Sequence, residues 1–283
     1  MSGIPGPRIR AVLSDGLRPA EPGATWQSST NRHSQQQGIQ SVEFAFTVLA
    51  HIELFADGIA LNQLAKRLGS QASKVHHYLV SLTRSGAVEQ VADGSYRLGP
   101  FAVQLGFSAL AQLGNPDLLM ACLSRLRDRT GESGFLAAWS QRGPTILHRV
   151  HGHHMLTVDV EVGLVLPLLT SSTGRCFMAF LDPADWRSLA KTEAKQHRPA
   201  IKQQEQNRFI AQAKADGLVT VQGSFHPRVA ALSAPVWGRD SKLIHVMTVL
   251  GWVGELDTCS DGSAARALLE ESGSLSALMG YRP

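Results

Sequence analysis

The sequence predicts an α+β protein of two domains: an N-terminal winged helix-turn-helix, then a linker helix, then a larger domain built on a mostly antiparallel sheet. Three observations carry this. The chain has 283 residues, more than the roughly 100–200 of one ordinary domain. Residues 41–100 hold three short amphipathic helical segments and a hairpin. Beyond residue 114, strand-like segments interleave with helical ones, the pattern of a sheet covered by helices.

Residues 1–40 are rich in Pro, Gly, Ser and Gln and lack sustained periodicity, so a disordered leader is expected there. From Ser41 the pattern changes. In "SVEFAFTVLAHIELFADG", Val42, Ala45, Phe46, Leu49, Ile52 and Phe55 fall on one helical stripe, with Ser41 as cap and Asp57-Gly58 as stop. A second helix follows on Leu61, Leu64, Ala65 and Leu68, ended by Gly69. The third, "QASKVHHYLVSLTRSG", turns Val75, Tyr78, Leu79 and Leu82 inward and ends at Gly86. Val88 and Val91, the Asp93-Gly94 turn, and Tyr96 with Leu98 then make a short hairpin.

Three helices with a tight link between the second and third, closed by a hairpin, define a winged helix-turn-helix at residues 41–100. The outward face of the third helix carries Gln71, Ser73, Lys74, His76, His77, Ser81 and Arg84, side chains that reach base edges and phosphates. Between Leu61 and Pro100, Lys66, Arg67, Lys74, Arg84 and Arg97 stand against Glu89 and Asp93, so the stretch is basic where a duplex would lie. The whole chain carries a net charge of +4, compatible with an anionic partner. Double-stranded DNA is the expected partner; a winged helix that binds only protein is the alternative.

Cys122, Cys176 and Cys259 are far apart and show neither a disulfide framework nor zinc-ligand spacing. No apolar run is long enough for a membrane span, and the N-terminus does not resemble a signal peptide. A cytoplasmic protein without a membrane partner is expected.

Residues 101–114 place Phe101, Leu105, Phe107 and Ala109 or Leu110 at helical spacing, a linker helix. Dimerisation follows physically, because one winged helix alone reads too short a site. "NPDLLMACLSRLRDRTGES" opens the domain at 115–283 as a helix capped by Asn115 and stopped at Gly131. "FLAAWS", "TILHRV", "MLTVDVEVG", "LVTV" and "LIHVMTVLGW" read as strands, with Leu156, Val158, Val160 and Val162 on one face. Helices end at Gly217 and close the chain.

The second domain shows none of the motifs GxSxG, GxGxxG, GxxxxGK or HExxH, so catalysis and a cofactor are not expected. "LHRVHGHH" puts His148, His151, His153 and His154 in one seven-residue window. Imidazoles so spaced can share a divalent metal, which would make the domain a metal sensor or enzyme; alternation along strands favours a polar turn instead. In "LLTSSTGRCFMAFL" a strand turns into a helix whose first turn holds Ser172, Thr173 and Gly174. Amides and hydroxyls converge there on a corner suited to a carboxylate, or Ser171 or Ser172 serves as an ordinary cap.

The stretch from Ser41 to "YRLGP" at Tyr96–Pro100 resembles the DNA-binding domain of IclR-type bacterial transcriptional regulators. "VGLVLPLLTSSTGRCFMAFL", "ADGL" and "VAALSAPVWGRDSKLIHVMTVLG" are similar to the family's second domain, so the resemblance runs from about residue 41 to the end. It implies a GAF-like effector-binding domain, a linker helix that pairs two subunits, and a homodimer or homotetramer. It also implies a small-molecule effector, an organic acid, at Ser172, Thr173 and Gly174 with Val221, Ala231, Thr248 and Leu250 facing them. Val221, Ala231 and Leu250 are apolar where several relatives are polar, which suits an aromatic or otherwise hydrophobic acid better than a small keto acid. Gln71 and His77 replace the family's usual Pro and Arg, and Ser95 a basic wing residue, changes worth about 1–3 kcal/mol per lost base contact.

Overall fold

The computed structural model describes residues 38–153, 160–196 and 202–282. The expected leader therefore lies outside the described residues, apart from its last three. The described chain separates into two compact units between Leu113 and Gly114.

The N-terminal unit starts with α1 (Gln40–Ile52), α2 (Leu61–Arg67) and α3 (Ala72–Arg84). The paired strands β1 (Val88–Gln90) and β2 (Tyr96–Leu98) form the wing, and α4 (Pro100–Gln112) follows. Val48, Ile52, Leu64, Val75, Leu79 and Val88 make its core. Burying such side chains is worth about 1.5–3 kcal/mol each, and this packing fixes α3 at the surface. Gly69 and Gly86 take left-handed φ of 57° and 73°, the conformation glycine adopts at no steric cost.

Two expectations for α1 are corrected. Ser41 lies inside the helix and Ile39 occupies the cap position. The inner stripe runs through Val48 and Ile52, while Val42 and Phe46 are 48% and 54% exposed. Periodicity gave the helix but not its rotation, because apolar residues occur all round it. In α4 no residue is buried, and Phe101, Val103, Leu105, Phe107 and Leu110 are exposed.

The C-terminal unit starts with α5 (Pro116–Thr130), whose cap Asn115 accepts from the Asp117 amide at 2.9 Å and whose stop, Gly131, has φ 74°. Next come β3 (Ser133–Ser140), β4 (Gly143–Val150), α6 (Ser172–Phe180), α7 (Pro183–Gln196) and α8 (Gln203–Asp216). β5 (Val219–Gln222), β6 (Val229–Trp237), β7 (Leu243–Trp252) and α9 (Ser263–Leu278) complete it. The five strands form one antiparallel sheet in the order β4-β3-β7-β6-β5. Leu123 and Leu126 of α5 and Leu268 and Leu275 of α9 cover one face, against Leu136, Leu232, Met247 and Val249. Phe177 of α6 and Ala213 of α8 cover the other, against Phe135, Ala137, Val221, Val246 and Leu250.

Sequence patterning did not identify β6. Its segment, "VAALSAPVW", is rich in small residues and contains Pro235, which argues against a central strand. Pro235 is accommodated because β5 pairs only with Ala230–Ser233 and leaves Pro235 beyond its end. The strand expected over "MLTVDVEVG" falls largely on residues 154–159, outside those described. Its remaining part is no strand: Val160 is 2% and Val162 60% exposed. The Leu164 amide donates to the Glu161 carbonyl at 3.1 Å and Gly163 has φ 88°, so the chain turns there. Among the described residues no helix is long and apolar enough to cross a membrane.

Candidate functional site

On the N-terminal unit, packing of Val75 and Leu79 into the core leaves Gln71, Ser73, Lys74, His76, His77, Ser81 and Arg84 exposed on α3. Lys74 Nζ lies 4.5 Å from the centroid of the Phe44 ring, and the His76 and His77 rings are 6.4 Å apart. Ser81 Oγ donates back to the His77 carbonyl at 3.1 Å. On the wing, Arg97 is paired with Glu89 at 2.6 Å, both half exposed. A surface pair of this kind is worth about 0–1 kcal/mol, and Arg97 and Glu89 together add no net charge to the wing. The wing tip is acidic: the Ser95 hydroxyl and amide donate to Asp93 and hold its carboxyl below the usual range. Positive charge is thus provided by α3 with Lys66 and Arg67, rather than by the wing.

On the C-terminal unit a pocket opens on the α6 face of the sheet. Phe135, Val160, Leu166, Val221, Phe225, Val229, Ala231 and Leu250 form its apolar wall, and Ser171, Ser172, Thr173 and Thr248 its polar side. With its mouth the pocket encloses about 420 Å³ of empty space.

The polar side is assembled from three elements. Ser172 and Thr173 begin α6; Ser233 comes from β6 and Thr248 from β7, directly opposite one another. All four side chains are buried. Ser233 Oγ donates to Ser172 Oγ at 2.8 Å and lies 2.7 Å from Thr248 Oγ1, which in turn lies 2.9 Å from Thr173 Oγ1. Buried hydroxyls tolerate burial by pairing in this way. By helix geometry the Ser172 and Thr173 amides have no acceptor within α6, and the positive end of the helix dipole points with them.

The capping alternative at this corner is realised by Ser171, whose Oγ accepts from the Gly174 amide at 2.9 Å. Gly174 is therefore corrected: it does not line the pocket, its amide is occupied, and a Cβ there would collide with Pro167 O and Leu168. The preceding segment is held by Glu193 of α7, which accepts from the Leu168 and Leu169 amides at 2.7 and 2.9 Å. Val221, Ala231, Thr248 and Leu250 all reach the pocket. Ser233, Phe135, Val160, Leu166, Phe225 and Val229 were missed; Ser233 had only one signal, a hydroxyl inside an otherwise apolar run.

Among the described residues the histidine window does not gather into a metal site. His148 stands opposite Leu136, on the sheet face away from the pocket, and burial lowers its pKa. His154 lies outside the described residues. Among the described residues no group of three His, Cys, Asp or Glu could hold a metal. Cys176 is fully buried and its thiol is pushed far up by desolvation, the state of an inert core thiol.

A winged helix with a basic exposed helix, followed by a pocketed antiparallel sheet, is the layout of a two-domain transcriptional regulator. The family model for the bacterial transcriptional regulator IclR C-terminal domain matches residues 115–277, and that for the IclR helix-turn-helix domain matches residues 41–92. The chain belongs to the IclR family of transcriptional regulators, with a DNA-binding helix-turn-helix and a C-terminal effector domain. It is 23% identical to the HTH-type transcriptional regulator XynR of Escherichia coli over 86% of this chain and 98% of that protein. The crystal structure of HmgR from Pseudomonas aeruginosa is 34% identical, with 86% and 99% of the two chains covered and a TM-score of 0.55. An IclR homologue from Microbacterium hydrocarbonoxydans, crystallised with 4-hydroxybenzoate, shares the fold at 17% identity, 85% and 99% coverage and a TM-score of 0.68.

Proposed function

We propose that the chain binds a double-stranded DNA operator as a homodimer or homotetramer and that an organic acid, aromatic or otherwise hydrophobic, controls this binding from the C-terminal pocket. Gln71, Ser73, Lys74, His76, His77 and Arg84 would meet the duplex, with Arg97 supporting the wing. The observation that carries the ligand class is the division of the pocket between one polar corner and a long apolar wall. The corner offers two helix-terminal amides and the hydroxyls of Ser172, Thr173 and Thr248 to a carboxylate. Val221, Ala231 and Leu250 offer an apolar body nothing but packing, which a small keto acid could not use. That a family member crystallised with 4-hydroxybenzoate supports the same class.

The oligomer rests on α4. A helix without a buried residue, exposing two phenylalanines and three aliphatic residues, calls for a second subunit, and two recognition helices would then read paired half-sites. Effector binding would shift the balance between subunit arrangements and so the spacing of those helices.

The test is an anisotropy titration on the DNA upstream of the chain's own gene, with and without a panel of aromatic acids and small keto acids. Competitor-resistant binding that weakens with salt and that an aromatic acid alters is expected. A response to keto acids alone refutes the ligand class, and affinity that does not fall as salt rises refutes the interface.

A further inference from the structure

None of the pocket's lining residues carries a charge, yet the row of side chains that floors it ends in a cation. Arg149 in β4 stands opposite Phe135 in β3, Phe135 opposite Thr248 in β7, and Thr248 opposite Ser233 in β6. Directly opposed residues share a face, so Arg149 belongs to the side of the sheet on which Phe135 and Thr248 line the pocket.

The Arg149 side chain is only 9% exposed, and its Nη1 lies 3.5 Å from Glu161 Oε1, a carboxylate that is itself 70% exposed. That separation exceeds the 2.7–2.9 Å of a charge-assisted hydrogen bond. Nε is buried with no acceptor among the described residues. Val160, next to Glu161, is part of the pocket wall, so the guanidinium is drawn towards the segment that closes this end. A buried guanidinium without a strong acceptor among the described residues is costly, and an incoming anion would relieve that cost.

Resting on the proposal that the pocket takes an organic acid at the Ser172–Thr173 corner, we infer that Arg149 is a second anchor at the β4 end. The effector would then carry a second oxygen acceptor, best a carboxylate, across its apolar body from the first. Arg149 and Thr248 are two strands, or about 10 Å, apart along the row. An arginine side chain and a para-substituted ring can bridge that span together. Glu161, on the surface, can turn to water when the ligand displaces it.

The test compares equilibrium binding of benzoate and benzene-1,4-dicarboxylate to the full-length protein and to R149M and R149K. Wild type is expected to favour the dicarboxylate at least tenfold, the gain of one charge-assisted pair. R149M should bring the ratio of the two affinities close to one, and R149K should keep part of it. A ratio unchanged in R149M, or no dicarboxylate preference in wild type, overturns the assignment. Benzoate binding without that preference sinks Arg149 alone; if neither compound nor any other organic acid binds, the organic-acid reading falls with it. Stability separates a merely structural role: ligand-free R149M and E161Q should melt no lower than wild type, and a marked fall in either would make Arg149–Glu161 a structural pair and refute the inference.

Discussion

Replacing Ser233 by Ala tests whether the polar corner is one mutually supporting unit. Ser233 is fully buried, and its hydroxyl makes two short contacts, 2.8 Å to Ser172 Oγ and 2.7 Å to Thr248 Oγ1. Each buried hydrogen bond contributes about 1 kcal/mol net, and leaving partners unsatisfied costs more. Thr248 keeps Thr173 at 2.9 Å, which limits the loss. The substitution should therefore destabilise the C-terminal unit by about 2 kcal/mol, or about 4–8 °C in melting temperature for a unit of this size. Tryptophan fluorescence reports chiefly on that unit, because four of the five tryptophans, Trp139, Trp186, Trp237 and Trp252, lie in it, residues 38–113 contain none, and the fifth, Trp26, can be replaced by Phe in the reference protein. The urea midpoint should fall with m unchanged, and Thr248→Val combined with Ser233→Ala should cost less than the sum of the two. A melting shift under about 1 °C, or strict additivity, would refute the idea of a coupled hydroxyl cluster.

Lys74→Ala should weaken binding to unrelated DNA sequences about equally and reduce the steepness of log affinity against log salt by about 0.9. Phe107→Glu, which charges a residue 69% exposed on α4, should shift the oligomer towards monomer in sedimentation velocity while leaving the melting temperature of the C-terminal unit unchanged. Gly174→Ala should cost about 1–3 kcal/mol in urea unfolding, since its Cβ would meet the backbone of Pro167 and Leu168. His148 makes stability depend on pH. Burial holds its folded pKa below the ordinary 6.5, so above 6.5 both states are neutral and stability is complete. As pH falls below 6.5 the unfolded ring protonates first, and stability is lost down to the folded pKa. The urea midpoint should fall between pH 7.5 and pH 5.5 in wild type and fall less in His148→Gln.

The N-terminal unit was legible because its determinants are local. Helical spacing in Leu61–Leu68 and Val75–Leu82, left-handed glycines after each helix and the Asp93-Gly94 turn lie within a few residues of the atoms they organise. Even so, local spacing could not set the rotation of α1, which the rest of the core decided by burying Val48 and leaving Phe46 in solvent. Ser172 and Thr173 stood out because a strand-to-helix turn is itself a local signal. Their partners did not: Ser233 and Thr248 are 61 and 75 residues away from the hydroxyls they meet, and they meet only because β6 and β7 pair in one register. The same register carries Arg149 to the edge of the pocket row, and no pattern within β4 marks it as different from any exposed strand arginine. The sequence by itself determined the order of elements, the two-unit division of labour and the basic face of α3, since short-range sterics and periodic burial encode these. Only the tertiary structure decided which side chains share the pocket, because strand register is a long-range choice made by the whole sheet packing between its two helical layers.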